Sequence, residues 1–318
     1  MSSLLVIGGS GFFGKSILDA YRRGLLDTWD IDRIEVVARN ASALLNSHPE
    51  LISKGVNLND EDIISCNALP VADYVIHAAA STDAKNYIAK PLEERKNIQL
   101  GTSNFCVLAK KYLAKSKILY VSSGAVYGQQ PPEVSHISED FTLQDIQSLD
   151  SGKQDYALAK RHSEALIQDL GNSDLNVIIA RCFAFLGPYL PRNQHFAIGN
   201  FIEDGLHKQP IAVKAKCLVC RSYLHADDLV TWLMTIMSHA DQSCPIVNVG
   251  SDEAISIDQL AHKVATYFNV KVNILPITDC KVDRYVPSIK KALSMGCHKP
   301  IALDNALRET IKTILYNF

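Results

Sequence analysis

The chain has 318 residues, 47% hydrophobic and 21% charged, which suits one compact unit or two closely associated domains and excludes fibrous, collagen-like and largely disordered chains. Its 32 basic and 34 acidic side chains give a formal net charge of -2, without the basic excess that neutralises a phosphate backbone, so no nucleic-acid partner is expected. No apolar run reaches the roughly 18 residues of a membrane span, and Met1 to Ile7 has neither a basic leader nor a long apolar stretch, so a cytoplasmic protein without membrane segments is expected.

Leu4 to Ile7 is a short aliphatic run that reads as a buried strand, and Gly8-Gly9-Ser10-Gly11-Phe12-Phe13-Gly14 follows it directly. Phe13, Ile17 and Tyr21 then recur at helical spacing. A strand, a glycine turn and a helix in that order form a place where a dinucleotide pyrophosphate meets backbone N–H groups and the positive end of a helix. Gly8, Gly11, Phe12, Phe13 and Gly14 are therefore cofactor-binding candidates. The second strand, Ile34 to Ala38, ends in Ala38-Arg39, where an NAD site normally carries an acid for the adenosine ribose. An arginine there can fork onto a 2′-phosphate, so NADP is the expected cofactor, NAD the alternative, and a merely solvated Arg39 the competing reading.

Tyr74 to His77, Ile118 to Val121 and Val177 to Ala180 complete the strand-like runs, with Asn97 to Tyr112 and Tyr156 to Leu170 as helices among them. This alternation predicts an α/β fold with a Rossmann-type, doubly wound parallel sheet. His77, inside its strand, is expected to pack or to bond to backbone. Ser122-Ser123-Gly124-Ala125-Val126-Tyr127-Gly128 closes the fourth strand at the carboxyl end, where such sheets bind ligands. Tyr156 and Lys160 stand four residues apart on one helix face. The ammonium can lower the phenol's pKa, preparing it to exchange a proton with a sugar hydroxyl or ketone while a hydride moves.

Beyond Arg181 the rhythm loosens at Gly187-Pro188, Pro191 and Pro210, with helices predicted near Phe196 to His207, Asp227 to His239 and Ser256 to Tyr267. The expected organisation is a nucleotide-binding domain over 1–180 and a smaller substrate-binding part over 181–318, some elements of which return to the sheet. Cys217 and Cys220 have C-x-x-C spacing, but no second pair follows and they do not open a helix behind a strand, so the spacing reads as coincidence and no metal is expected. The 8 scattered cysteines read as reduced thiols. His195 and His225 are candidates for touching ligand, and Glu133, Glu139 and Asp140 read as a solvated acidic loop.

In order from Leu4 to about Pro300, the chain resembles the extended short-chain dehydrogenase/reductase family, the NAD(P)-dependent epimerases and dehydratases of nucleotide sugars. The glycine loop, Asp73 to Ala80, Asn97 with Gly101-Thr102, the serine strand, the Tyr-Lys pair, Gly187-Pro188, Arg221-Ser222-Tyr223-Leu224 and Asp227-Asp228 carry the likeness. The resemblance implies that Ser123 hydrogen-bonds the reacting oxygen, that Tyr156 is the acid/base, and that Lys160 lowers its pKa and holds the nicotinamide ribose. It implies that Ala78, Ala79 and Ala80 line the cofactor channel, with Asn97 also toward the cofactor. Asn200 and Arg221 would grip the diphosphate of a nucleotide-sugar substrate, with Arg284 as a third contact. It also implies a homodimer built through the helices at Asn97 to Tyr112 and Tyr156 to Leu170.

The departures narrow the chemistry. In the family's 4,6-dehydratases Asp and Glu follow the catalytic Ser or Thr, and the decarboxylating relatives have Glu at the second of these places; this chain has Gly124 and Ala125. Reductive epimerases of the fucose-synthase kind carry a histidine where Tyr189 stands, and many relatives an Asn where Ala184 stands. Hydride transfer with one proton relay remains: a 4-keto sugar reductase, favoured by the NADP-type pocket, or a nucleotide-sugar 4-epimerase. A non-catalytic NAD(P)-binding regulatory or scaffold subunit is the alternative of another class.

Overall fold

The structure, a computed structural model, describes residues 1–80, 89–149, 151–194, 196–279 and 282–317. Seven parallel strands form the central sheet: β1 (Ser2–Ile7), β2 (Ile31–Ala38), β3 (Val56–Asp60), β4 (Tyr74–His77), β5 (Lys117–Ser123), β6 (Asn176–Cys182) and β11 (Ile246–Val249). Their spatial order is β11-β6-β5-β4-β1-β2-β3. The chain runs outward from β1 to β3, then returns to β4 on the other side of β1, so the direction of winding reverses between β1 and β4. A crevice opens at the carboxyl ends of such a pair, and it is the general ligand site of this architecture.

Alternate residues of each strand enter opposite cores, as the period of two requires. Leu4, Val6, Leu119, Val121, Ile178 and Ala180 face one core, shared with helix α1 (Phe12–Arg22) and α6 (Ala226–Met237). Leu5, Ile7, Ile118, Tyr120, Val177 and Ile179 face the other, covered by α3 (Pro91–Tyr112) and α4 (Ser151–Gly171). The sheet is thus buried on both sides, which is why its strands read as continuous aliphatic runs. A one-turn helix, α2 (Leu44–Ser47), lies between β2 and β3.

Two of the sheet's strands escape the sequence pattern. β3 and β11 are its outer members, and each carries asparagines where an apolar run would stop, Asn57 and Asn59 in one and Asn248 in the other. Helices α3 and α4 also start earlier than their apolar spacing suggests, through the polar turns 91–96 and 151–155.

The remaining elements lie over the carboxyl edge as short pieces. β7 (Phe185–Leu186) pairs with β10 (Leu224–His225), and β8 (Ile211–Val213) with β13 (Val272–Ile274). β9 (Leu218–Arg221) lies between β12 (Ile255–Ser256) and β14 (Val282–Tyr285). Helices α5 (Ala197–Leu206) and α7 (Ile257–Phe268) pack together beside them, and α8 (Lys290–Ser294) and α9 (Leu303–Asn317) complete the chain. No helix among the described residues is long and apolar enough to cross a membrane.

Candidate active site

The glycine loop stands at the mouth of the crevice. Gly8 has φ +90°, and a Cβ there would come within 2.7 Å of the Ala79 backbone, so only glycine lets the ends of β1 and β4 close together. At Gly11 the reverse holds: a Cβ would meet only Gly8 O, at 3.5 Å, so the space before the first turn of α1 is open. No side chain caps this helix and its first turn holds no acidic residue. Unshared N–H donors facing open space without a carboxylate suit a pyrophosphate, so the loop fits a dinucleotide. Phe12 is buried, and Phe13 packs edge-on to Phe185 at 5.4 Å, joining the loop to β7.

Around this mouth the other cofactor candidates take up different positions. Arg39 is exposed immediately after β2, with Ala38 buried before it. Asp60, at the end of β3, lies opposite Ala38, and its carboxylate accepts from Ser42 N and Ser42 Oγ at 2.8 and 2.5 Å. Asp60 is thereby engaged with the 40–43 turn, while the next residue, the exposed Glu61, donates from its N–H to Ala38 O at 3.1 Å. Ala78, Ala79 and Ala80 continue from β4 half-buried, and Ala78 N donates to Ile7 O at 2.8 Å. Asn97 is half-buried on α3.

Ser123 ends β5 in a buried position, and its Oγ accepts from Ala125 N at 3.2 Å. Tyr156 and Lys160 come from the face of α4 turned to the sheet. Lys160, 2% exposed, donates from Nζ to Val121 O at 2.8 Å and to Tyr120 Oη at 3.2 Å, and stands 6.0 Å from the Tyr156 ring centroid. Burial opposes its charge, but the phenols of Tyr120 and Tyr156 and the hydrogen bond to Tyr120 outweigh this and hold the ammonium above its ordinary pKa.

One side chain in this cluster has no sequence motif behind it. Tyr285, on β14, places its hydroxyl 3.4 Å from Ser123 Oγ and donates to Cys182 O at 3.3 Å, while its ring lies 4.6 Å from that of Phe183. Burial pushes its phenol far up, so it stays protonated. Tyr285 and Phe183 fill the space beside Gly124: a Cβ there would sit 2.7 Å from Tyr285 Oη and from Phe183 Cζ.

A buried ion pair to β6 and a serine hydroxyl from β5 hold α4 against the sheet. Arg181 donates to Glu164 at 3.0 and 2.7 Å, each side chain 6% exposed, and Ser122 Oγ donates to the same carboxylate at 2.5 Å. Glu164 lies one turn beyond Lys160, so the bidentate pair ties the helix that carries Tyr156 to β6, and the Ser122 hydrogen bond ties it to the strand that carries Ser123. Thr102 and Ser163, 2.9 Å apart, tie α3 to the same helix. A carboxylate at the i+8 place on the buried face of α4 was the available sequence signal, since such a group stays inside only when paired.

The substrate-side candidates are arranged differently. Arg221 closes β9 and is bound within the protein, to Asp283 Oδ2 at 2.6 Å, Asp283 O at 2.7 Å and Cys220 O at 2.9 Å. Arg284 lies between Asp283 and Tyr285, so strand alternation turns it away from the face that meets Arg221 and Ser123, and its Nε is buried without a partner. Asn200, on α5, donates to Gln194 O at 2.7 Å, with its Oδ1 buried and unpaired. Tyr189 points toward α1, bonded to Asp19 and edge-on to His48 at 5.5 Å.

His225 caps α6, accepting from Asp227 N at 3.3 Å, and His195 lies outside the described residues. His77 is buried and accepts from Ala79 N at 3.3 Å. Cys220 lies within β9 and Cys217 immediately before it, and a strand sends residues three apart to opposite faces. The acidic loop is only partly the solvated feature its composition suggests. Glu139 is half-buried and accepts from Asn248 N at 2.8 Å, because the chain there pairs with the end of β14 through Ile137 and Val286.

Comparison with known proteins gives the family and the fold. A model of the NAD-dependent epimerase/dehydratase family matches residues 4–250. UDP-glucuronic acid decarboxylase 1 of Xenopus tropicalis is 26% identical over 321 residues, covering 97% of this chain and 71% of that protein. Among solved structures, the UDP-N-acetylglucosamine 4-epimerase of Methanobrevibacter ruminantium superposes with TM-score 0.83 at 20% identity, covering 100% of this chain and 99% of that one. The UDP-glucose 4-epimerase of Thermotoga maritima does so with TM-score 0.81 at 19% identity and 99% coverage of both. These two likenesses establish the fold.

Proposed function

Because the chain belongs to the NAD-dependent epimerase/dehydratase family, we propose that it moves a hydride at one carbon of a nucleotide-linked sugar, with Tyr156 as the acid/base, and that the reaction is reduction of a 4-keto sugar with NADPH. Bound in the crevice, the cofactor would supply the hydride. Gly8, Gly11, Phe12, Phe13 and Gly14 would hold its pyrophosphate end, Arg39 its 2′-phosphate, and Ala78, Ala79, Ala80, Asn97, Tyr156 and Lys160 its nicotinamide half. Ser123 accepts the Ala125 N–H, and its own hydrogen, directed in this structure to Tyr285 Oη at 3.4 Å, would turn to the substrate oxygen. Tyr156 gives its proton to that oxygen as charge develops on it, and the Lys160 ammonium stabilises the phenolate left behind. Arg221, with Asn200, would contact the diphosphate, and Arg284, on the other face of β14, would stand outside that contact.

The observation that carries this reading is the filled space after Ser123. Elimination of water needs a further acid and base at the sugar. Position 125 is an alanine, and Tyr285 and Phe183 occupy the volume into which any side chain at position 124 would grow. The same argument separates the chain from the decarboxylases it is similar to, since their Glu has no counterpart at Ala125. The exposed Arg39 directly after β2, where an acid would otherwise meet the adenosine ribose, supports NADPH over NADH.

A 4-epimerase is the second reading, because Ser123, Tyr156 and Lys160 suffice for reversible oxidation at carbon 4 with no added group. One assay separates the two. Purified protein with NADPH and nucleotide-linked 4-keto-6-deoxyhexoses should consume coenzyme and give a product heavier by two hydrogens, with NADH the poorer donor. Interconversion of C4 epimers of a nucleotide-linked hexose, offered in place of the 4-keto sugar, at constant mass and without net coenzyme consumption would replace the first reading by the second, and neither activity would contradict both.

A further inference from the structure

Tyr120 stands three residues before Ser123 on β5, 1% exposed, and the mechanism above does not use it. Its hydroxyl accepts a hydrogen bond from Lys160 Nζ at 3.2 Å, and the same ammonium lies 4.8 Å from its ring centroid. Val121 O takes a second Lys160 N–H at 2.8 Å. An ammonium has three donors, so β5 occupies two and leaves one for the side of the site on which Tyr156 stands. The far side of the Tyr120 ring meets His77 edge to face, 5.4 Å between centroids and 87° between planes. His77 in turn meets Phe105 at 4.6 Å and accepts the Ala79 N–H. A buried column thus runs from the cofactor-channel residue Ala79 through His77 and Tyr120 to Lys160.

Phenylalanine would fill the same volume and keep both ring contacts. What it would lack is the hydroxyl, and the group that uses this hydroxyl is a buried cation, for which a lost acceptor is costly. The titratable groups facing Lys160 are His77 from β4, Tyr120 from β5, Cys182 from β6 and Tyr156 from its own helix. Burial, aided by Lys160, pushes His77 down to about 3, and burial pushes the Cys182 thiol far up, so both are neutral and neither balances the ammonium.

We propose that Tyr120 is a positioning residue, whose hydroxyl fixes the Lys160 ammonium at the carboxyl end of β5. This deepens the functional reading and rests on it for the consequence at the cofactor, but the contact itself can be tested without any ligand. Tyr120→Phe, Lys160→Met and the double variant form a cycle read by melting temperature. Tyr120→Phe should lower Tm by about 2–4 °C when Lys160 is present and by less than about 1 °C when methionine replaces it. Equal losses in both backgrounds would mean that the hydroxyl serves packing alone and would overturn the proposal.

The second readout is NADPH affinity against pH, followed by nicotinamide fluorescence. Without its acceptor the Lys160 ammonium should lose its proton at lower pH. Tyr120→Phe should therefore bind NADPH within about threefold of the parent at pH 7 and about tenfold more weakly at pH 9.5. Superimposable pH curves would overturn the proposal. Unchanged NADPH affinity in Lys160→Met would instead contradict the functional reading, and the melting cycle would then decide the place of Tyr120 alone.

Discussion

The two sides of the crevice prepare for anions in opposite ways. On the nucleotide side the candidate donors are main-chain N–H groups at the start of α1, shaped by glycines, in a first turn that holds no acidic residue. On the substrate side the candidate cation, Arg221, is already bound to Asp283, and Lys153 stands 3.9 Å from the same carboxylate. A backbone cradle is formed by the fold itself and asks nothing of the ligand except shape. A paired arginine can meet a diphosphate only by sharing or releasing its partner, so affinity on that side depends on an internal competition. In the proposed function this contrast would put the fixed part of the chemistry beside the sheet and the adjustable part on the short strands above it.

The largest effect expected on the sheet side is from Tyr156→Phe. Losing the phenolic proton should cut kcat by about 10²–10⁴-fold, while NADPH affinity and Tm stay near those of the parent. Turnover within a few-fold of the parent, on the substrate identified by the coenzyme assay, would remove Tyr156 from its role and leave the buried Lys160 without its proposed partner.

A smaller effect should mark the substrate side. Asp283→Asn keeps an oxygen that can accept from Arg221 but removes the competing charge. KM for the nucleotide sugar should fall about 3–10-fold, with kcat and coenzyme affinity little changed. A rise in KM would show that Asp283 orients Arg221 rather than competing for it, and the comparison between the two sides would lose its second half.

These two sides were also unequally legible in the sequence. The inner strands of the sheet bury both faces, so β1, β4, β5 and β6 appear as aliphatic runs, and the glycine loop and the Tyr-Lys pair are contiguous motifs whose geometry follows from local spacing. β3 and β11 lie at the outside of the sheet and carry asparagines, which hides them from the same test. Asn248 is buried there only because Tyr127 Oη donates to it at 2.8 Å and it donates to Ile137 O at 2.9 Å. Tyr285 escaped for a different reason. It reaches Ser123 through the pairing of β14 with β9, two short segments some sixty residues apart, and no local pattern encodes such a pairing. The resemblance points to the neighbouring Arg284 as a substrate contact, yet alternation along β14 gives Tyr285 the side of the strand that faces the serine. Tyr120 was legible as a strand residue, but the use of its hydroxyl depends on where α4 sets Lys160, which only the packed structure defines.

The central claim is that hydride transfer occurs here without elimination or decarboxylation, because the volume beside Ser123 is filled by Tyr285 and Phe183 and position 125 carries no acid. The most direct measurement is the mass of nucleotide-linked glucose and glucuronic acid, offered with several bases and with NAD or NADP, after incubation with protein shown in parallel to be active on 4-keto sugars. The account predicts that neither substrate loses water or carbon dioxide. Sustained loss of either would contradict it, and would mean that a proton-transfer group other than Tyr156 reaches the sugar.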